Sequence, residues 1–323
     1  MNAYAPSGNA LIEVAAILAT VVICGILLNR FGDRGVFRLA AWMLTAVAAV
    51  TVERLSAAEP AGFRMLAIIA ALLYGMKAVV AVELRLAGKP PLSLVRWMIF
   101  CLLWFGMRPE IFRRLFRAPR PGAASMFASG LLRMAIGSGF LAAAVWTAPG
   151  LPSFQPRTLA SLPLLMVGLS FLVHFGLFDV LAGFWRALGS DCPKLFRAPF
   201  LSRSLTEFWS RRWNIAFSEM AAIAVFRPAK RTLGPTAAKT VAFLFSGLLH
   251  ELAISVPVQA GYGLPFFYFL LHALAMHLET MPLVRHALQT RFVAHLWTAA
   301  WILLPLPLLF HWPFCAGVLL PLL

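Results

Sequence analysis

Stretches of roughly 20 mostly apolar residues recur along this 323-residue chain, and no other feature constrains its fold as strongly. Each is long enough to cross a hydrocarbon layer of about 30 Å as a helix. Lipid offers the backbone no hydrogen-bond partners, so a lone crossing segment must bond its own amides, which only a helix does. Composition agrees: 61% of residues are hydrophobic, 12% are charged and mean hydropathy is +0.83. A soluble domain of this length carries a far more charged surface. The expected fold class is all-α, a polytopic integral membrane protein.

The runs predict eight spans, near 10–29, 36–53, 63–84, 124–148, 158–184, 236–256, 262–280 and 293–320. Two shorter apolar pieces, 92–106 and 215–226, read as re-entrant or interfacial helices. No basic residue precedes the first run, whereas Arg30 and Arg34 follow it. A secretory signal has the opposite order, so the first helix is expected to stay, with its N-terminus outside. The Lys/Arg-rich stretches 30–38, 85–120, 185–214, 227–239 and 285–291 then all fall on the cytoplasmic side. The charge-poor stretches 54–62, 149–157 and 257–261 fall outside with both termini. Counting 92–106 as a span would place Arg108, Arg113, Arg114, Arg117 and Arg120 outside, against the charge rule.

The net charge of +16 is therefore spread over loops, not gathered into the continuous patch that nucleic acid requires. Cys24, Cys101, Cys192 and Cys315 are scattered without a CxxC pair, so neither a disulfide framework nor a zinc site is indicated. With no repeat, soluble segment or linker, residues 1–323 read as one membrane-embedded domain. Its Ala-, Leu- and Arg-rich composition leans toward a bacterial inner (cytoplasmic) membrane.

One cytoplasmic segment, LSRSLTEFWSRRWN (201–214), is built to hold something. Ser204 and Glu207 have the spacing of a capping box, which starts a helix at about Leu205. On it Leu205, Phe208, Trp209 and Trp213 form an apolar stripe, while Glu207, Ser210 and Arg211 point the other way. Glu207 and Arg211 are expected to pair at i,i+4. Arg212 falls within the aromatic stripe, where it snorkels or stacks on Trp209, or else faces a polar ligand such as a phosphate or the negative end of another helix. Asn214 closes the segment, placed to present a neutral amide at a site mouth.

In FLFSGLLHELAIS (243–255) a histidine and a glutamate stand side by side inside a span. Ionisable groups at membrane depth are expensive, which points to function, the other reading being a histidine hydrogen-bonded between helices for packing. His250 shares its helix face with Phe243, Ser246, Gly247, Ala253 and Ile254, three of them small enough for another helix to approach or for a cavity to form. Glu251 turns about 100° away and can pair with a cytoplasmic arginine or another helix. A neutral imidazole is the best general base near neutral pH. A metalloprotease would need HExxH, and the second histidine position is Ile254. His174, His272, His277, His295 and His311 form no metal-ligand pattern, and there is no GxSxG or phosphate-binding glycine loop.

FWSRRWN (208–214), followed downstream by SGLLHE (246–251), resembles the membrane-bound O-acyltransferase superfamily, and within it the wax synthase-like branch. WFGMRPEIF (104–112) is similar to a segment of bacterial members. The resemblance implies acyl transfer from a thioester, usually acyl-CoA, to a hydroxyl on a lipophilic acceptor within the membrane. It makes His250 catalytic and Asn214 its partner, with the motif-bearing part at about 185–280. His250 would take the hydroxyl proton and the Asn214 amide would help the oxyanion. Arg212 leads the basic residues expected to meet CoA phosphates. Phe208, Trp209, Trp213, Ser246 and Glu251 are the other candidate substrate-binding residues. Acyl-CoA is a co-substrate and no cofactor or metal is expected. Ser246, one turn from His250, is the one nucleophile left open. Two other readings stand beside this: a transporter or proton-coupled channel using His250 and Glu251, and an inactive scaffold of the same family.

Overall fold

The computed structural model describes residues 3–148 and 156–323. Among these residues every regular element is helical. Seven helices are long and apolar enough to cross a membrane: α1 (Gly8–Phe31), α2 (Gly35–Leu55), α3 (Ala61–Leu86), α5 (Ala123–Thr147), α6 (Ala160–Ala187), α7 (Ile215–Val258) and α9 (Arg291–Leu309). Three are shorter: α4 (Leu94–Leu103), α8 (Leu264–Leu278) and the terminal Trp312–Leu322. The chain is an integral, multi-pass, all-α protein. Most of the external loop expected at 149–157 lies outside the described residues.

Three spans differ from the sequence expectation. The run 293–320 divides into α9, which ends at Leu309, and the separate short helix Trp312–Leu322. The run 262–280 becomes α8, only 15 residues long, about 22 Å at the helical rise. α7 has 44 residues, which unbroken would reach about 66 Å. Gly234 breaks it, with φ 78° and ψ 172°, a conformation that side-chain-bearing residues avoid. The apolar piece 215–226, expected to be a short separate element, instead runs on through the basic residues to this break.

Where the sequence reads as one domain, the helices gather into two compact units, Met1–Pro109 with Ala198–Gly317 and Glu110–Arg197 with Val318–Leu323. In the first, α1, α2 and α3 share a core of Val14, Val21, Ala48, Val52, Ala67, Ile68 and Ala71, against which Leu249, Leu252 and Val256 of α7 pack. Small residues let the helices close up: a Cβ on Gly75 would stand 2.6 Å from the Thr45 hydroxyl.

α4 has only 10 residues, and its last carbonyls are held by a buried cation. Lys77, in the middle of α3 and 0% exposed, donates Nζ–H bonds to the carbonyls of Phe100 at 2.6 Å, Trp104 at 2.5 Å and Gly106 at 3.3 Å. Its ammonium also lies 4.0 Å from the Phe100 ring centroid. A helix that ends at depth leaves bare carbonyls and a partial negative charge, and a cation is their natural cap. At the other end the Asn29 amide exchanges two hydrogen bonds with the Leu92 backbone, at 2.9 and 3.2 Å.

In the second unit α5 lies on α6 at close range. A Cβ on Gly130 would meet Val180 N at 2.7 Å, and one on Gly137 would meet Leu172 N at 2.6 Å. Buried Asp179 accepts from Arg133 and from Lys194, the latter at 3.1 Å, so the carboxylate is matched from two sides.

Candidate active site

Ser204 caps the first motif helix as its spacing predicts, its hydroxyl accepting the Glu207 N–H at 3.0 Å. Glu207 reaches back to the Arg203 N–H at 2.9 Å. The helix then widens: Phe208–Arg212 is π-helical, and Trp213 N–H donates to the Phe208 carbonyl at 2.8 Å, five residues back. That winding corrects the expected Glu207–Arg211 pair. Residue i+5, not i+4, now comes round to Glu207, and Arg212 Nε donates to its Oε1 at 2.6 Å. Arg212 thereby leaves the aromatic stripe, and its Nη1 reaches the Ala198 carbonyl at 3.3 Å. Arg211 is exposed. Partial burial pushes the Glu207 carboxyl up, but the Arg203 amide and Arg212 guanidinium outweigh it and hold it below the usual carboxylate range.

The aromatic residues of the motif divide their duties. Phe208 is buried and stacks on Trp213 with centroids 5.5 Å apart. Trp209 turns inward to Phe269 at 5.4 Å, His272 at 5.5 Å and Phe243 at 6.1 Å. Asn214 sits at φ 44°, ψ 61°, a left-handed conformation that Asn tolerates better than most residues. Its Oδ1 accepts the Phe217 N–H at 3.2 Å and starts α7. Its Nδ2 group remains as the side chain's donor. The Ser218 hydroxyl donates to the Trp209 carbonyl at 2.5 Å, clipping the turn shut.

His250 meets this segment through Phe217, whose ring lies 6.0 Å from the imidazole. On its other side Phe269 of α8 lies at 4.3 Å. The small face read from the sequence is where α8 enters: a Cβ on Gly247 would be 3.1 Å from Phe266 Cα. His250 Nδ1 is 2.7 Å from the Ser246 carbonyl oxygen. A carbonyl only accepts, so Nδ1 carries the proton and neutral Nε2 is left with its lone pair. What Ser246 presents to the imidazole here is its carbonyl, not the hydroxyl a nucleophile would use.

Glu251 does not reach an arginine. Its carboxylate accepts the backbone N–H groups of Gly263 at 2.8 Å and Phe266 at 3.2 Å, capping the start of α8. At the far end of α8, Glu279 accepts the N–H groups of Leu205 at 2.5 Å and Thr206 at 3.1 Å, and the Trp297 indole at 3.2 Å. Sequence reasoning passed over Glu279, Phe269 and Lys77. Lys77 had a signal, a lysine deep inside an apolar run. The other two had none, since their partners are distant in sequence.

Residues 192–271, which hold both motifs, match the model of the Membrane bound O-acyl transferase family. The chain is similar to a Long-chain-alcohol O-fatty-acyltransferase of Simmondsia chinensis, 37% identical over 20% of this chain and 21% of that one. It is also similar to two Arabidopsis thaliana proteins. One is Probable long-chain-alcohol O-fatty-acyltransferase 2, 34% identical over 28% of this chain and 29% of the relative. The other is Probable long-chain-alcohol O-fatty-acyltransferase 9, 35% identical over 31% of each. The matched part of the chain thus spans between a fifth and a third of the length of these curated relatives.

Proposed function

We propose that this chain, which belongs to the wax synthase-like branch of the membrane-bound O-acyltransferase superfamily, moves an acyl group from acyl-CoA to the hydroxyl of a lipophilic alcohol. The observation that carries the reading is the His250 Nδ1–H bond to the Ser246 carbonyl. It commits Nε2 to accept a proton, in a membrane segment where water competes poorly.

Nε2 takes the acceptor's hydroxyl proton while the alkoxide oxygen attacks the thioester carbonyl carbon. The oxyanion is met by the Asn214 Nδ2–H group, the donor that the cap through Oδ1 leaves unused. Collapse breaks the C–S bond, and the imidazolium proton passes to the departing CoA sulfur. Ester and CoA-SH leave with the imidazole neutral again, and no acyl-enzyme forms. The basic segment carrying Arg212 and exposed Arg211 takes the CoA phosphates. Trp209, Trp213 and Phe208 furnish the apolar wall of the site. Glu251 is occupied in capping α8, which weighs against a proton path through it. On its composition we place the protein in a bacterial cytoplasmic membrane, and its plant relatives add nothing to that placement.

The test is turnover of acyl-CoA with a panel of alcohols by purified wild-type and His250→Ala protein. Loss of the base is expected to lower the rate by about 10²–10⁴ while acyl-CoA still binds. Full activity in the variant would overturn the mechanism. Mass spectrometry of lipids from cells carrying each form would name the acceptor.

A further inference from the structure

α1 and α2 both lie along α3, and between them they leave an open groove of about 480 Å³. Its wall is apolar, with Ile17, Val21 and Leu28 from α1 facing Phe37, Leu44 and Ala48 from α2. Thr20 also lines it, but its hydroxyl is spent on the Ala16 carbonyl at 2.9 Å. From Ile17 to Leu28 the groove runs about 17 Å at the helical rise, close to the roughly 15 Å of hydrocarbon in one leaflet. One end is basic. Arg30 stands two residues beyond Leu28, and Arg34 three residues before Phe37, so both flank the mouth. Both are exposed, and among the described residues neither is in an ion pair. The other charges nearby are matched: Asp33 pairs with Arg85 at 3.7 Å, and Arg38 donates to Glu83 at 2.9 Å.

An apolar slot one leaflet deep, with two unmatched cations at its mouth, suits a molecule that carries a phosphate at the end of an acyl chain. We propose that this groove holds one anionic phospholipid, a chain between α1 and α2 and the phosphate on Arg30 and Arg34. Acyl-CoA has the same two parts, but a chain seated here would keep its thioester at the arginines. The groove also faces away from the helix of His250. Trp42 is the α2 residue that touches that helix, its ring 5.6 Å from Phe245. It is two residues from both Ala40 and Leu44, which line the groove, and so is turned about 160° from each. The floor of the groove is nevertheless shared, since Val21 and Ala48 belong to the core on which Leu249 and Leu252 pack. The lipid thus braces the helix that carries His250 without entering the site.

The experiment adds dioleoylphosphatidylglycerol or dioleoylphosphatidylcholine, which have the same chains, to the purified full-length protein in detergent and counts retained lipid by native mass spectrometry. One phosphatidylglycerol per chain is expected, preferred over phosphatidylcholine by about tenfold or more, with a raised thermal midpoint. Arg30→Gln combined with Arg34→Gln should erase the preference. Ala40→Trp, at an exposed position in the groove, should expel the chain although both arginines remain. Lys230→Gln combined with Arg231→Gln removes the same charge elsewhere and should leave the preference intact. A preference that survives the Arg30 and Arg34 changes would overturn the proposal. So would an equal loss in the Lys230 and Arg231 control, which would mean attraction to net charge alone, or retention of neither lipid. Displacement of phosphatidylglycerol one for one by palmitoyl-CoA would give the groove to the acyl donor and overturn it as well.

Discussion

Arg212 Nε reaches Glu207 Oε1 across 2.6 Å, a pairing that exists because the helix between them closes its bonds over five residues instead of four. The first motif thus carries one arginine held in a bridge and one, Arg211, left exposed.

The two arginines should therefore behave differently. Arg211→Ala is expected to raise the KM for acyl-CoA about tenfold with kcat little changed, since a phosphate contact is made equally in ground and transition states. Arg212→Ala should raise that KM and also lower stability, by about 0.2–1 kcal/mol for a pair this exposed. The bridge also has a pH signature. Glu207 titrates below its unfolded value of about 4.3. Its contribution is complete above that value and is lost as pH falls through the lower folded value. Thermal midpoints between pH 7 and pH 3 should show a steeper acid limb for wild type than for Glu207→Gln. Midpoints that move together would refute the bridge.

Asn214 has two jobs that substitution can separate. Asp keeps the oxygen that caps Phe217 and loses the N–H donor. Asn214→Asp should therefore fold with near-normal stability while turnover falls by about 10²–10³. Asn214→Ala loses the cap as well and must hold φ 44°, so its stability should drop by about 1–2 kcal/mol or more. An active Asp variant would remove Asn214 from the chemistry.

Lys77→Met should destabilise the protein without touching the proposed reaction. It strips a donor from the carbonyls of Phe100, Trp104 and Gly106, at roughly 1–3 kcal/mol for each acceptor left bare. Heating in detergent, followed by the monodisperse fraction, reads this directly. An unchanged midpoint would mean the ammonium is not the cap of α4.

From charge alternation, 185–214 and 85–120 are predicted to be cytoplasmic. Single cysteines replacing Arg203 or Arg114 in a cysteine-free background should resist an impermeant maleimide in whole cells and react in inverted vesicles. Labelling from outside would reverse the topology.

The spans were legible because hydrocarbon thickness and helical rise tie an apolar run of given length to one structure. His250 stood out in the sequence because an ionisable group inside an apolar run is expensive, and Asn214 because it closes the polar segment before the next apolar run. The winding of 208–212 was not, because a π turn has no composition of its own and a regular helix puts Glu207 and Arg211 together. Glu251 stood out as a charge, but its partners are backbone amides, which every residue offers alike. The α5–α6 contact had a sequence trace, Gly130 facing Gly176 and Gly137 facing Gly168.

α8 is fastened at its start by Glu251, next to His250, and at its end by Glu279, on the first turn of the other motif. It works as a ruler of fixed length laid between the two halves of the site. Their separation is set by its 15 residues and not by the sequence that joins them through the Gly234 break. One residue added near that break only lengthens a bend. One added inside α8 advances Glu279 by about 1.5 Å and turns it by about 100°. The two motifs are free to drift apart along the chain without drifting apart in space.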